Sequence, residues 1–150
     1  MMSIFGSPFT TKTDFGVVVG NYNFTADTGA IATYTIFTVT GDVILQTYGI
    51  CDIALTSGGV AKVELGVSGD TAAYVAQTTA TDLVANEIWI DASPTLTKEI
   101  LNPTAIPQTW IVANGQNVIF TISAAALTAG DIDFYALWTP LSRDGDVHAA

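Results

Sequence analysis

The chain predicts an all-β fold: a single antiparallel β-sandwich, jelly-roll-like, of about eight or nine strands with little helix. Three observations carry this. β-Branched and aromatic residues fall in runs of ordinary strand length, separated by turns rich in Gly, Asn and Pro. Several runs alternate apolar and polar residues with period two, as a strand with one buried side does. The strongest alternation lies near the end, at residues 130–141. There Ile132, Phe134, Ala136 and Trp138 fall on one face, and Asp131, Asp133, Tyr135, Leu137 and Thr139 on the other. Gly130 opens this strand and Pro140 closes it, because proline cannot donate to a ladder. The other strands are expected to assemble against it. Phe134 and Trp138 should be buried together with Val118, Phe120 and several of Val43, Leu45, Ile53, Val63 and Leu65.

In chain order, residues 1–11 read as an N-terminal arm and 12–150 as the sandwich domain. In the arm, Gly6, Ser7, Pro8 and Thr10-Thr11 break any regular element. Residues 12–19 form a candidate strand ending at Gly20, and 21–29 are polar and turn-prone. Residues 31–40 are β-branched, with Tyr34 and Phe37 among them, which crowds a helix and suits a strand. Gly41-Asp42 is a hairpin-type turn. From 43 to 55 the odd positions face inward, and Gly49 marks a bulge or a close backbone approach. After the turn at 56–59, Ala61, Val63, Leu65 and Val67 alternate with Lys62, Glu64, Gly66 and Ser68, so 31–67 reads as a three-stranded antiparallel meander. Residues 68–70 turn the chain. Residues 71–86 mix strand character with a short helical turn that Thr81-Asp82 would cap. Ile88-Trp89-Ile90 reads as a short strand, and 95–101 as another candidate. The prolines at 103 and 107 make a crossing loop. Trp110-Ile111-Val112 is a strand closed by Asn114-Gly115, and Val118, Phe120 and Ile122 face inward on the next. Residues 124–129 are a loop or a single helical turn, and 142–150 a turn and a tail.

The length of 150 residues suits one domain with a real core. Only 12% of residues are charged, about half the usual ~25%, so the surface is built largely from small polar and apolar side chains. Such a surface suits a protein packed against neighbours. Fourteen acidic residues face four basic ones, Lys12, Lys62, Lys98 and Arg143, for a net charge of −10. Nucleic acid is not an expected partner, since phosphate binding needs clustered Lys and Arg, and neither is an anionic membrane surface. No run approaches the ~18 apolar residues of a membrane helix. The N-terminus lacks the basic and apolar regions of a secretory signal. Cys51 is the only cysteine; it sits in an apolar run and reads as a small buried hydrophobe.

Nothing in the sequence assembles a catalytic, metal or cofactor constellation. His148 stands two residues from the C-terminus with no nucleophile in a pre-organised turn beside it, and reads as a tail histidine in solvent or in a contact. Asp131 and Asp133 share a strand face, where their carboxylates could approach each other or a Ca²⁺ ion. Asp144 and Asp146 flank Gly145. Neither pair has the spacing of an EF-hand loop, and both read as solvated strand face and turn chemistry. Trp89 and Trp110 could face a sugar but sit among Ile and Val, which points to core packing.

Residues 129–142, ending in Leu137-Trp138-Thr139-Pro140-Leu141-Ser142 and followed by Asp144-Gly145 and Val147, resemble the C-terminus of small structural proteins of tailed bacteriophages. The middle is similar too, in a Thr-rich strand, Gly41-Asp42-Val43, a long apolar strand, Gly58-Gly59, and then Val63-Glu64-Leu65-Gly66-Val67-Ser68-Gly69-Asp70. The likeness runs loosely over residues 30–147. It implies a non-enzymatic virion component of the head or tail, most plausibly a capsid decoration (cement) protein. Such a protein would bind the major capsid protein from outside the assembled head and stabilise the lattice, with no cofactor. A homotrimer is expected from the habit of such proteins and from the charge-poor surface. The contact is expected through Ile4, Phe5 and Phe9 of the arm and through Pro103, Ile106 and Pro107 of the crossing loop. The alternative is a receptor- or glycan-binding module of a tail or head fibre. A small hydrolase with scattered carboxylates ranks below both.

Overall fold

The computed structural model describes residues 15–94, 107–113 and 115–150. Ten strands form two antiparallel sheets, as the sequence predicts for a sandwich. They are β1 (Gly16–Asn23), β2 (Thr33–Thr40), β3 (Val43–Ser57), β4 (Lys62–Val67), β5 (Asp70–Thr79), β6 (Ile88–Trp89), β7 (Thr109–Val112), β8 (Val118–Ser123), β9 (Leu127–Pro140) and β10 (Asp146–Ala149). One sheet runs β1-β9-β3-β6, with β7 also paired to β3; the other runs β10-β2-β8-β4-β5. We call these the β9 sheet and the β8 sheet. A one-turn helix, α1 (Phe24–Asp27), follows β1, and a 3₁₀ turn covers Ala80–Asp82.

The run near the C-terminus is the central strand of the β9 sheet. β9 pairs with β1 along its first partner's whole length and with β3 from Val43↔Pro140 to Ser57↔Leu127. Ile132, Phe134 and Ala136 are buried on its inner face. Their rings and methyls meet the β8 sheet: Phe134 lies 5.5 Å from Phe120, Phe120 lies 4.9 Å from Tyr22, and Trp89 packs edge-on against both Phe120 and Phe134. Val118, Val43, Leu45, Val63 and Leu65 complete the core as expected.

Ile53 is not among the several that are buried, and Trp138 is buried only in part. Ile53 is 55% exposed, because the β3–β9 register shifts between Cys51 and Ile53 and turns that residue outward, and Leu55 faces the core again. The bulge therefore lies past Gly49. At Gly49 the backbone instead approaches closely, and an added Cβ would meet Ile132 Cγ2 at 3.0 Å. Trp138 is on the inner face but only half-buried, packed across Gly16 at the open end of the strand.

The expected meander is absent: β2 and β4 belong to the β8 sheet and β3 to the β9 sheet. Gly41, at φ +61°, turns the chain between sheets rather than within one. The turn is clamped to the loop after β9, with Asp42 N–H donating to Ser142 Oγ at 2.8 Å and Leu141 N–H to the Asp42 carbonyl at 2.8 Å. Three strand boundaries also move. β1 begins at Gly16 and runs through Gly20 to Asn23, because at Gly20 the Ile36 carbonyl comes within 2.9 Å of where a Cβ would stand. Asn23 then caps α1, accepting from Thr25 N–H. β9 begins at Leu127, three residues before Gly130, and the expected tail contains β10, paired with β2 and burying Val147.

Candidate interaction surface

The inner face of the β9 sheet is core; its outer face is unusual. Paired residues in antiparallel strands share a face, so the ladders give the rows across it. From β1 through β9 and β3 to the far edge, one row reads Thr139, Ile44 and Ile111, the next Val17, Leu137, Gln46 and Thr109, and the next Val19, Tyr135 and Tyr48. Phe15 stands beside the first two rows at the start of β1. These rows contain no charged residue. Val17, Val19, Ile44 and Ile111 are exposed there. Tyr48 and Tyr135 stack with centroids 5.5 Å apart and planes 14° apart.

The charge begins one row further on. Asp133 pairs with Asn21, and Asp131 with Asn23. Asn21 Nδ2 donates to Asp131 Oδ1 at 2.6 Å and to Asp133 Oδ1 at 2.9 Å, and Asn23 Nδ2 donates to Asp131 Oδ2 at 2.5 Å. The two carboxylates are thus bridged by amide donors from β1. The Tyr135 phenol titrates above its ordinary value, through desolvation first and then the nearby Asp133, Tyr48 and Asp52.

The margins of the apolar rows differ. At the β1 margin Phe15 and Val17 project beside a depression of about 190 Å³ that Ile44, Gln46, Leu137 and Trp138 help to line. At the β7 margin lies a cleft of about 250 Å³ walled by Val67, Ala73, Trp110, Ile111 and Val112. Trp110 Nε1 donates to the Ala73 carbonyl at 2.8 Å, which holds the indole across the gap between the sheets. Trp110 is half-exposed rather than core, contrary to the reading from its Ile and Val neighbours, because β7 is a short edge strand with nothing beyond it in the described residues. Trp89, read the same way, is fully buried and donates to Thr78 Oγ1 at 3.0 Å.

Of the expected partner-binding residues, Ile4, Phe5, Phe9, Pro103 and Ile106 lie outside the described residues. Pro107 is half-buried beside the apolar rows, its carbonyl accepting from Gln46 Nε2 at 3.1 Å. The outward aliphatic residues of β1, β3 and β7 were not singled out by the sequence reading. The signal for them was available only once the strand registers were known.

The titratable groups weighed for chemistry are dispersed. Cys51 is buried, its thiol donating to the Ile53 carbonyl at 3.2 Å, and burial pushes its pKa up to about 11. A group held in the thiol form is a poor nucleophile. His148 is exposed on β10, its Nδ1 3.7 Å from Asp146 Oδ2. Asp144 Oδ1 accepts from Ser142 Oγ at 2.7 Å, in the turn chemistry expected of it. Among the described residues no three His, Cys, Asp or Glu side chains converge as metal ligands, and no helix is long and apolar enough to cross a membrane. Architecture and surface together define an all-β sandwich with apolar, charge-free rows at one end of a sheet face. No protein-family model, curated protein or solved structure matches the chain.

Proposed function

We propose that this chain is a non-enzymatic virion structural protein of a tailed bacteriophage, a decoration protein that binds the outside of the assembled head as a homotrimer. One observation carries the reading: a chain of net charge −10 leaves adjacent rows of one sheet face free of charge and lined with Val17, Val19, Ile44, Ile111 and Leu137. Apolar patches of this size mark macromolecular contacts. The acidic remainder suits a position outside the shell, away from packaged DNA. A sandwich that buries area across the joints of the major capsid protein stabilises the lattice by mass action, because it binds the assembled form alone.

The test is stoichiometry on purified particles of the phage that encodes the chain, measured against the major capsid protein. Hundreds of copies per head, with heads that open at lower temperature when the gene is deleted, are expected. A few copies located at the tail would overturn the reading. That outcome would favour the fibre module, for which Trp110 beside a cleft with Asp70 and Gln116 at hand is the specific feature.

A further inference from the structure

We infer that the cleft between the two sheets receives the side chain of an arginine presented by another protein. The cleft is a different surface from the apolar rows, and the inference stands whether or not the chain coats a head.

The walls come from both sheets. Val67 and Asp70 flank the β4–β5 turn, Ala73 lies on β5, and Trp110, Ile111 and Val112 belong to β7. Trp110 pairs with inward-facing Leu45, so its indole leaves β7 on the inner side, and its N–H bond to the Ala73 carbonyl fixes the ring across the gap. Ala73 is too short to fill that gap. Half of the indole, 49%, stays exposed.

Volume limits the occupant. The cleft's 250 Å³ or so lies below the ~300–1,000 Å³ of sites for drug-sized ligands and above the ~150 Å³ that holds a benzene ring. One long side chain fits.

Polarity selects its chemistry. Only Asp70 and Gln116 bring polar side chains to the cleft. A pyranose would lose water from most of its hydroxyls without gaining partners for them. A wholly apolar occupant would crowd the carboxylate of Asp70 and give it nothing. A cation on an aliphatic stem meets both demands: the stem lies along Val67, Ile111 and Val112, and the head reaches Asp70. That carboxylate is held in place, with Oδ1 accepting from Ala72 N–H at 3.1 Å, and the Gln116 amide lies beside it against Gly69. Among the described residues no Lys or Arg lines the cleft. Lys62 sits at the other end of the β4–β5 hairpin, its Nζ donating to Thr79 Oγ1 at 2.7 Å. The counter-charge is left to a partner. A guanidinium suits the site better than an ammonium, because it stacks flat on an indole, forks onto a carboxylate and gives up its water more readily.

The experiment titrates the isotope-labelled full chain with n-butylguanidinium and with N-acetyl-arginine methylamide, which presents the side chain as a protein does. The readout is the Trp110 indole N–H resonance, assigned by its loss in Trp110→Phe. Both probes should shift it saturably. n-Butanol, with the same stem and no charge, should bind at least about tenfold more weakly, and methyl glucoside should leave the signal in place. Asp70→Asn keeps an oxygen for Ala72 N–H and removes the charge; it should weaken both probes about tenfold. Asp82→Asn, which removes an exposed carboxylate beyond the other end of β5, should change neither.

Butanol binding as tightly as the guanidinium, or an Asp70→Asn variant that binds like wild type, would reduce the cleft to a plain apolar recess and overturn the inference. So would tighter binding of the glucoside, which would make the cleft a sugar site. Binding of n-butylguanidinium without the blocked arginine would overturn the assignment to a protein side chain in favour of a small free cation. An indole signal unmoved by both probes would also overturn it, and would point to a segment of this chain outside the described residues as the occupant.

Discussion

Truncation of Phe134 and of Trp138 should have unequal costs, although both aromatics lie on the inner face of β9. Phe134 is fully buried, 5.5 Å from Phe120 and 6.4 Å from Trp89, with its ring over Gly49. Phe134→Ala opens a hole on the order of 100 Å³, which at about 24 cal/mol per Å³ costs ~2.4 kcal/mol if the walls hold. The walls do hold: Trp89 is tied to Thr78 through its indole N–H, and Gly49 has no side chain to swing in. Lost aromatic pairing adds ~0.5–1.5 kcal/mol per contact. The sum falls at ~3–5 kcal/mol, or a drop in melting temperature of roughly 10 °C for a domain of this size. Trp138 is half-buried at the strand's open end, and Trp138→Ala should cost about 2 kcal/mol, near the value for burying one large apolar group. Urea unfolding followed by circular dichroism measures both, with unchanged slopes as the condition for comparison. Equal costs, or a Phe134→Ala loss below about 2 kcal/mol, would refute the account of where the core ends.

Three further outcomes are expected. Gly130→Ala should lose ~1–3 kcal/mol by urea midpoint, because Gly130 sits at φ +144° and an added Cβ would stand 2.1 Å from Leu55 Cδ2; measured in a Leu55→Ala background, the same substitution should cost less. Asn21→Asp replaces the amide that bridges Asp131 and Asp133 by a third carboxylate and should cost about 1 kcal/mol at neutral pH, with the gap to wild type narrowing when the melt is repeated in acid. Burial raises the Cys51 thiol from 9.0 to about 11 and lifts the Tyr22 and Tyr74 phenols as well, so the folded chain keeps protons that the unfolded chain releases. That contribution to stability is whole below pH 9 and is lost as pH rises through about 11; the melting temperature should fall over this window, and Cys51→Ala should soften the first part of the fall.

The sequence carried the strand content and the inner face of most strands, because period-two alternation records burial directly. Val118, Phe120, Ile122, Phe134 and Ala136 are buried as their spacing requires. The pairing was not legible. A strand that turns back within its sheet and one that crosses to the other sheet both present one apolar side to the same core, so β2, β3 and β4 read as a meander although they alternate between sheets. What decides the matter is the clamp of Asp42 onto Leu141 and Ser142, about a hundred residues away. Gly20 and Gly130 misled for a related reason. Each was read as punctuation, yet each sits inside a strand where another element comes too close for a Cβ. Ile53 was lost to a bulge that leaves no mark in the local pattern.

The candidate surface was illegible for a different reason. An outward Val17, Ile44 or Ile111 is ordinary when taken singly, since exposed apolar residues are common. Alternation assigns such residues to the solvent side by default and says nothing about what lies beside them. Only the registers β1–β9, β9–β3 and β3–β7 bring them into adjacent rows, with the charges left at one end. The low charge content then acquires a location. The rows around Leu137 and Tyr135 are neutral because three strands each place an uncharged residue there, while Asp131 and Asp133 follow on the same face of β9. The outer face of β9 is thus graded along its length, apolar toward Pro140 and acidic at Asp133 and Asp131.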